Sequence, residues 1–419
     1  MATINGTINA DLLSGNGSAD LILADAGDDT IQGFRGADTV DGGAGVDVIT
    51  LTATSADLNS ATDGQIYNVE AVSASAATAA VTITLASQSE GFSITGGSAA
   101  DSLTGGSGAD NFMGFVGADT LTGGGGNDTL VLTATSADLS LASDAQLTSV
   151  EAISAAGAAA GVTITLTNQL EGFSITGGGF NDSILGGAGN DTIVGFAGAD
   201  SIDGGAGVNT LALTASSATL NAATNAQVAN IGVISAAGAG AAVSIVLTNQ
   251  TEGFSIVGGA NADTLTGGAG ANTFIGFAGA DTITGGAATD TLTLSATSSD
   301  LNNASNAQLS SVEVISAASA AAGVAVNLGL QTEGFTLTGS GFSDTLTGGA
   351  GADSINAGAG DDTINGFVGA DSIDGGADVN TLALTASSAT LNAATNAQVA
   401  NIGVISAAGA GAAVSIVLT

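Results

Sequence analysis

The chain has 419 residues, 66 of them glycine, and its one basic residue, Arg35, stands against 38 acidic residues, for a net charge of −37. Such acidity without a basic patch argues against nucleic acids and anionic membranes as partners. With no His, Cys or Lys the chain lacks most catalytic bases and nucleophiles, so we expect no enzymatic activity. No apolar run approaches the ~18 residues of a membrane span.

Nine-residue repeats dominate the chain from its beginning. Four copies at 96–131 read GGSAADSLT, GGSGADNFM, GFVGADTLT and GGGGNDTLV, with an Asp sixth and an apolar residue eighth. Glycine permits positive φ, so the first six residues predict a tight turn and the last three a short strand with one inward side chain. The Asp and the turn carbonyls offer the hard oxygen ligands that calcium prefers. Predicted inward residues include Ile31, Phe112, Ile193, Leu265 and Ile364.

These nonapeptides resemble the RTX (hemolysin-type) calcium-binding repeats of secreted bacterial proteins. The resemblance implies two nonapeptides per turn, with calcium held between stacked turns by Asp carboxylates and turn carbonyls. It also implies an extracellular or cell-surface protein exported by a type I route, although no C-terminal export signal is visible. The predicted fold class is all-β: a right-handed parallel β-solenoid in which calcium-binding β-roll blocks alternate with longer metal-free rungs that carry a short helical segment.

The sixth-place residues of five repeat blocks are the candidate calcium ligands. Asn209, Asn272 and Asn380 take this place without the charge, which predicts weaker sites, and the degenerate copy around Asp11 predicts an N-terminal capping turn. The candidate metal ligands are Asp20, Asp29, Asp38, Asp47, Asp101, Asp110, Asp119, Asp128, Asp182, Asp191, Asp200, Asp263, Asp281, Asp290, Asp344, Asp353, Asp362 and Asp371.

A second, longer repeat joins each block to a spacer, and we call it the long repeat. The tag GFxGAD, with Phe34, Phe115, Phe196, Phe277 and Phe367, and the tag EGF, with Glu90, Glu171, Glu252 and Glu333, mark its period. The predicted repeat units are 1–95, 96–176, 177–257, 258–338 and 339–419. Residues 380–419 repeat 209–248 and stop inside a spacer, so we expect a fragment of a longer array.

Each spacer has strand-like pieces after a possible helical turn. In the second repeat unit the strand-like pieces are 151–154, 162–166 and 172–176, and the segment 143–150 has a capped helical pattern. The favoured interpretation is a solenoid that continues through longer rungs. The alternative is a separate small α/β subdomain between the rolls.

The Phe of GFxGAD replaces a turn glycine, so we expect it to point outward. Because it recurs once in every long repeat, it suggests either a surface for lateral assembly or a cover for the seam between roll and spacer. The fifth block has one extra nonapeptide, which predicts a half-turn shift that moves Phe367 and the spacer after Ala383 to the opposite face.

Glutamates outside the nonapeptides have two possible roles. Glu70, Glu151 and Glu313, and those of the EGF tags, are either calcium ligands or, as we favour, residues that are solvated or that hydrogen-bond a neighbouring turn.

The composition is similar to that of bacterial surface-layer and surface-filament proteins with RTX repeats. We therefore expect an extracellular structural protein with calcium as its cofactor, self-association into a layer or filament, and a surface polysaccharide as a possible partner. The alternative is the stalk of a large RTX adhesin whose ligand-binding domain lies outside this chain.

Overall fold

Each nonapeptide contributes one three-residue strand, because its glycine-rich first six residues form the turn. A computed structural model describes residues 2–417, and the chain divides into two compact units, Met1–Thr210 and Leu211–Thr419. Within each compact unit the strands pair in parallel and the chain alternates between two rows of them. Each compact unit is thus a parallel β-solenoid, which confirms the predicted fold class. The right hand of the coil stays a prediction.

The first compact unit stacks its strands in two rows, here called row one and row two. Row one of this unit consists of Leu12–Leu13, Thr30–Gln32, Val48–Thr50, Ala71–Ser73, Ser93–Thr95, Asn111–Met113, Thr129–Val131, Ala152–Ser154, Ser174–Thr176 and Thr192–Val194. Row two consists of Thr3–Asn5, Leu21–Leu23, Thr39–Asp41 and Ile66–Tyr67, then Thr82–Thr84, Ser102–Thr104, Thr120–Thr122 and Leu147–Thr148, then Thr163–Thr165, Ser183–Leu185 and Ser201–Asp203. The strand Thr210–Ala212 lies where the two compact units meet in sequence.

The second compact unit has the same two rows. Its row one consists of Val233–Ser235, Ser255–Val257, Thr273–Ile275, Thr291–Thr293, Val314–Ser316, Thr336–Thr338, Ser354–Asn356, Ser372–Asp374 and Val399–Ala400. Its row two consists of Ser244–Val246, Thr264–Thr266, Thr282–Thr284 and Leu309–Ser310, then Ala325–Asn327, Thr345–Thr347, Thr363–Asn365, Thr381–Ala383 and Val404–Ser406. The strand Val228–Ala229 also belongs to this unit.

The centre of the core is a stack of side chains from the middle of the strands, and buried turn and spacer residues such as Leu51 and Phe92 add to it. In three-residue strands the central residue points inward and is buried while its neighbours are more exposed, as the alternation of a strand requires. The predicted inward residues Ile31, Phe112, Ile193, Leu265 and Ile364 are all at most 1% exposed. The inward positions are confirmed.

The spacers continue the solenoid through longer rungs, as the favoured interpretation predicted. In the spacer of 96–176, Thr129 pairs with Ala152 and Ala152 with Ser174, so spacer strands stack directly on a nonapeptide strand. Thr163 in turn pairs with Ser183 of the next block. A separate α/β subdomain between the rolls is therefore ruled out for this spacer.

Helical turns occur where a spacer rung lengthens the turn. The predicted segment 143–150 contains one 3-10 turn, Asp144–Gln146, capped reciprocally by Ser143 and Gln146, and then a strand. A second turn, unpredicted, precedes it at Leu139–Leu141. The other described helical segments are Ala56–Asn59, Asp63–Gln65, Ala218–Ala222, Asn225–Gln227, Ser299–Asn302 and Leu391–Ala393.

The extra nonapeptide of the fifth block produces the predicted half-turn. Phe277 lies between Thr273–Ile275 of row one and Thr282–Thr284 of row two. Phe367 lies between Thr363–Asn365 of row two and Ser372–Asp374 of row one. The spacers follow, since one begins after Thr291–Thr293 of row one and the next after Thr381–Ala383 of row two.

The prediction that the Phe of GFxGAD points outward is wrong. All five of these phenylalanines are at most 4% exposed. The first glycine of each tag has φ between 74° and 82°, unlike Gly105 or Gly123 in the same position of other copies, and this reversal directs the next side chain into the core. Ser136 Oγ donates to Phe115 O at 2.5 Å and accepts from Leu139 N, which ties the turn to the first helical turn of the spacer. These phenylalanines therefore fill the seam between roll and spacer.

Candidate metal centre

The sixth-place aspartates form buried columns along the solenoid. All eighteen candidate ligands are at most 4% exposed. One carboxylate oxygen of each faces the preceding turn: Asp101 N donates to Asp119 Oδ1 at 2.9 Å, and Asp110 N donates to Asp128 Oδ1 at 2.7 Å. Because donor and acceptor are 18 residues apart, each Asp links its own rung to the one before it. The predicted register of the candidate ligands therefore corresponds to real columns.

The second carboxylate oxygen, Oδ2, has a hydrogen-bond partner in only some of the rungs. In some rungs it accepts from its own turn, as when Gly106 N donates to Asp110 Oδ2 at 2.8 Å. In other rungs it is buried without a hydrogen-bond partner, which is unfavourable for an anionic oxygen unless a cation is present. Those oxygens belong to Asp29, Asp47, Asp128, Asp182, Asp290 and Asp362.

Main-chain carbonyls of the next turn lie close to Oδ2 atoms in rungs where Oδ2 has a hydrogen-bond partner as well. A Cβ on Gly105, first in its nonapeptide, would stand 2.2 Å from Asp110 Oδ2 and 2.3 Å from Gly123 O of the next turn. A Cβ on Gly186 would stand 2.5 Å from Asp191 Oδ2 and 2.4 Å from a carbonyl of the next turn. In these two rungs the first residue must be glycine, because a side chain there would fill the space between the two oxygens.

Burial raises the pKa of many of these carboxyl groups, because the low-dielectric interior disfavours the charged form. The pKa of Asp128 rises to about 6, through burial and then repulsion from Asp110 and Glu151. The pKa of Asp362 also rises to about 6, through burial and the nearby charges of Asp344, Asp361 and Asp378. Stacked carboxylates without a counter-ion therefore oppose the fold at neutral pH.

The donor set suits calcium. Calcium accepts carboxylate and main-chain carbonyl oxygens in flexible geometry, and both kinds of oxygen meet at the Asp columns. Within residues 2–417 no group of three acidic side chains converges on one point. A metal would therefore be held by the sixth-place Asp of a turn together with carbonyls of neighbouring turns, and it would neutralise the buried charge.

The rung of Asn380 shows how an asparagine occupies the sixth place, while the weaker calcium sites predicted for the asparagine rungs stay a prediction. Asp362 N donates to Asn380 Oδ1 at 3.0 Å, so that oxygen is used between turns. Asn380 Nδ2 donates to Ala377 O at 2.9 Å and to Asn401 O at 3.2 Å. One amide hydrogen of Asn380 thus occupies Asn401 O, whose counterpart Ser149 O lies near Asp128 Oδ2.

Two groups of acidic residues outside the nonapeptides have contacts that the repeat pattern does not show. Glu70, Glu151 and Glu313 each accept from the N–H of an Asp, which agrees with the favoured hydrogen-bonding interpretation. Among the EGF tags, Glu252 accepts from Asn225 Nδ2.

The spacer residues Asp57, Asp138 and Asp300 accept from the main-chain N–H groups of the GFxGAD turns. For example, Gly117 N donates to Asp138 Oδ2 at 2.8 Å. The signal for these three aspartates is a constant separation of 21 residues from a turn glycine.

The family model of the RTX calcium-binding nonapeptide repeat, in four copies, matches the chain several times. The matches cover residues 3–30, 14–49, 95–130, 176–211, 257–292, 336–364 and 348–382, which are the blocks that carry the Asp columns. No curated protein matches the chain. In the part of the chain that the structure describes, no helix has the length and apolar character needed to cross a membrane.

Proposed function

Because the chain is an RTX calcium-binding repeat protein, we propose that it is an extracellular structural protein that folds when it binds calcium and assembles at a cell surface. The observation that carries this proposal is the set of buried Asp columns. Six of their Oδ2 atoms have no hydrogen-bond partner, and those of Asp47, Asp128 and Asp290 lie near a main-chain carbonyl. Such a fold needs a cation at each such place, since an unpaired buried charge is strongly unfavourable.

Calcium acts here as a folding switch. Extracellular calcium modules have dissociation constants of about 10⁻⁴ to 10⁻³ M, so the sites stay empty at cytosolic calcium and fill outside the cell. The net charge of −37 adds repulsion that opposes a compact state before calcium binds. The chain would therefore remain export-competent inside the cell and fold outside it.

The structural role is supported by the form of the molecule. Each compact unit consists of stacked rungs that differ little from one another, with short strands and buried single side chains. This produces a rod-like scaffold within each unit rather than a pocket around a reactive group. Layers or filaments of such scaffolds are the proposed assembly, and a non-enzymatic role is part of the proposal.

Circular dichroism of the full chain tests the folding switch. We expect little β signal in excess chelator and full recovery in millimolar calcium, but not in the same concentration of magnesium, which dehydrates reluctantly and requires stricter geometry. An unchanged β signal in chelator would contradict the proposal.

Electron microscopy of the purified chain in millimolar calcium tests the assembly. Ordered sheets or fibres that disappear on chelation are the expected result. Single particles at every protein concentration would instead favour the adhesin-stalk alternative, in which this chain is a spacer and does not self-associate.

A further inference from the structure

At three places a block of nonapeptides ends and a spacer Glu takes over the role of the next Asp. Inside a block, the N–H of an Asp is accepted by the Asp that lies 18 residues later. At the last rung, Asp128 N donates instead to Glu151 Oε2 at 2.8 Å, 23 residues later. The same bond joins Asp47 N to Glu70 Oε2 at 2.7 Å and Asp290 N to Glu313 Oε2 at 2.9 Å. We call these three places the junction pairs.

Each junction pair places an uncompensated buried oxygen beside its Glu. Asp47, Asp128 and Asp290 are 0% exposed, and the Oδ2 of each has no hydrogen-bond partner. This oxygen is directed at a carbonyl of the spacer: a Cβ on Gly123 would stand 2.3 Å from Asp128 Oδ2 and 1.6 Å from Ser149 O. Gly42 and Gly285 occupy the same position before Asn68 O and Ser311 O.

The Oδ2 of the junction Asp and the spacer carbonyl are both hydrogen-bond acceptors, so they repel each other. The carboxylate of the nearby Glu adds to this repulsion. The pKa of Asp47 and of Asp290 is raised by burial and, in part, by the charge of Glu70 or Glu313. The Glu side chains themselves are exposed, so each junction opens to solvent on one side. A cation could therefore enter without unfolding of the rung.

Two of the five block ends lack the acidic pair and can be compared with the three junction pairs. In the third and fifth repeat units the Asp of the junction is Asn209 or Asn380, and the residue 23 positions later is Gly232 or Gly403 instead of Glu. In the fifth repeat unit Asn380 Nδ2 donates to Asn401 O, the carbonyl equivalent to Ser149 O. Where the carboxylate is replaced by an amide, a hydrogen bond closes the gap and the Glu is absent as well. The two acidic residues are thus present together or absent together.

We propose that each junction pair is an additional calcium site, formed by Oδ2 of the last Asp, the spacer carbonyl and the carboxylate of the spacer Glu. The three sites are Asp47–Asn68–Glu70, Asp128–Ser149–Glu151 and Asp290–Ser311–Glu313. Two carboxylates and a carbonyl are oxygen ligands of charge −2, which select a hard divalent cation, and the flexible one-sided geometry suits calcium. These sites fix the spacer to the roll, and the Asn–Gly junctions do so without metal.

The proposal rests on the proposed function and adds three calcium ions to those of the nonapeptide sites. The number of bound ions can be measured. Native mass spectrometry of the full chain, saturated with calcium, gives the number of bound ions. Changing only the three glutamates (Glu70→Gln, Glu151→Gln and Glu313→Gln) keeps the nonapeptide ligands Asp47, Asp128 and Asp290 and an acceptor for their N–H groups. This variant is expected to lose three ions and keep the native circular dichroism.

A gain-of-site variant keeps the test independent of any loss of folding. Asn380→Asp with Gly403→Glu restores the acidic pair in the fifth repeat unit, where a Cβ on Gly403 would meet no atom closer than 3.5 Å. We expect this double variant to bind one calcium ion more than Asn380→Asp alone.

The matched control changes three other glutamates of the spacers. Glu90→Gln, Glu171→Gln and Glu333→Gln together are expected to leave the ion count unchanged. An equal loss in this control, or an unchanged count in the gain variant, would overturn the proposal while leaving the nonapeptide sites in place. A wild-type chain that binds no calcium would overturn both.

Discussion

The main-chain N–H of Asp110 donates to Oδ1 of Asp128, 2.7 Å away and 18 residues further along the chain. The same Asp110 accepts from Phe92 N through its own Oδ1 at 2.7 Å. Each buried Asp is therefore a link between rungs as well as a negative charge. Substitutions can separate these two roles, because Asn keeps the accepting oxygen and Ala removes it.

Asp110→Asn and Asp110→Ala should differ in stability but not in metal loss. Both should remove a calcium ion. Both also take the acceptor from Gly106 N, because Asn has a single side-chain oxygen. Asp110→Ala in addition leaves Phe92 N without its acceptor, which costs roughly 1–3 kcal/mol. Urea unfolding in calcium, with calorimetric calcium titration, measures the two effects.

The control for that experiment is Asp25→Asn, since Asp25 lies off the nonapeptide register and its φ of 77° is better tolerated by Asn than by Ala. Asp57, another off-register residue, is unsuitable because it accepts from Gly36 N at 2.7 Å. A calcium loss in Asp25→Asn equal to that in Asp110→Asn would show that the assigned register is wrong.

Mild acid should stabilise the metal-free fold. The folded-state pKa of Asp128 and Asp362 is about 6, above the ordinary value of 3.8. The folded state then binds protons more tightly than the unfolded state, so this contribution is fully present below pH 3.8 and is lost as the pH rises through 6. In chelator, the β signal in circular dichroism should rise as the pH falls from about 7 to about 4.

In calcium, the fold should become less stable as the pH falls, because protons compete with the metal for the same carboxylates. Calcium affinity should fall over the same pH interval, and Asp128→Asn should weaken the pH dependence in chelator. An equal β signal at the two ends of that interval without calcium would contradict the assignment of buried, metal-free carboxylates.

Gly123→Ala should destabilise the calcium-bound fold by roughly 1–3 kcal/mol or more, since the added methyl would stand 1.6 Å from Ser149 O. Gly157→Ala is the matched control, because no atom lies within 4 Å of the position that its Cβ would take and its φ is not in the left-handed region. That change should be neutral or stabilising by about 0.4–1 kcal/mol. Thermal melts in calcium compare the two, and equal melting temperatures would refute the close approach.

Phe115→Ala should destabilise the second repeat unit by roughly 3–5 kcal/mol, because the ring is 1% exposed and its loss leaves a cavity at the roll–spacer seam. Val116→Ala next to it should stay within about 0.5 kcal/mol, since Val116 is 52% exposed. Chemical denaturation measures both. A Phe115→Ala variant as stable as wild type, but defective in assembly, would restore the contact-surface interpretation.

The repeats made most of the fold predictable, because a fixed period determines both the rung length and the inward position. The same period placed the Asp columns correctly. The direction of Phe115 was not predictable, since it depends on the φ of 82° at Gly114, and the sequence marks that glycine in the same way as Gly105. The pairing of Asp128 with Glu151 was hidden for another reason: the spacer rung is longer than a rung of two nonapeptides, so the partner falls outside the nonapeptide period.

The half-turn in the fifth block shows that the number of nonapeptides in a block decides the row of strands after which the next spacer begins. In the second compact unit, four nonapeptides before a spacer make it begin after Thr291–Thr293 of row one, and five make the next begin after Thr381–Ala383 of row two. Only the parity of the copy number matters, because adding two copies lengthens the block and returns the spacer to its original side. Gain or loss of the DNA that encodes a single nonapeptide would therefore move every helical turn of a spacer to the other side of its solenoid while leaving the core positions and the Asp register unchanged.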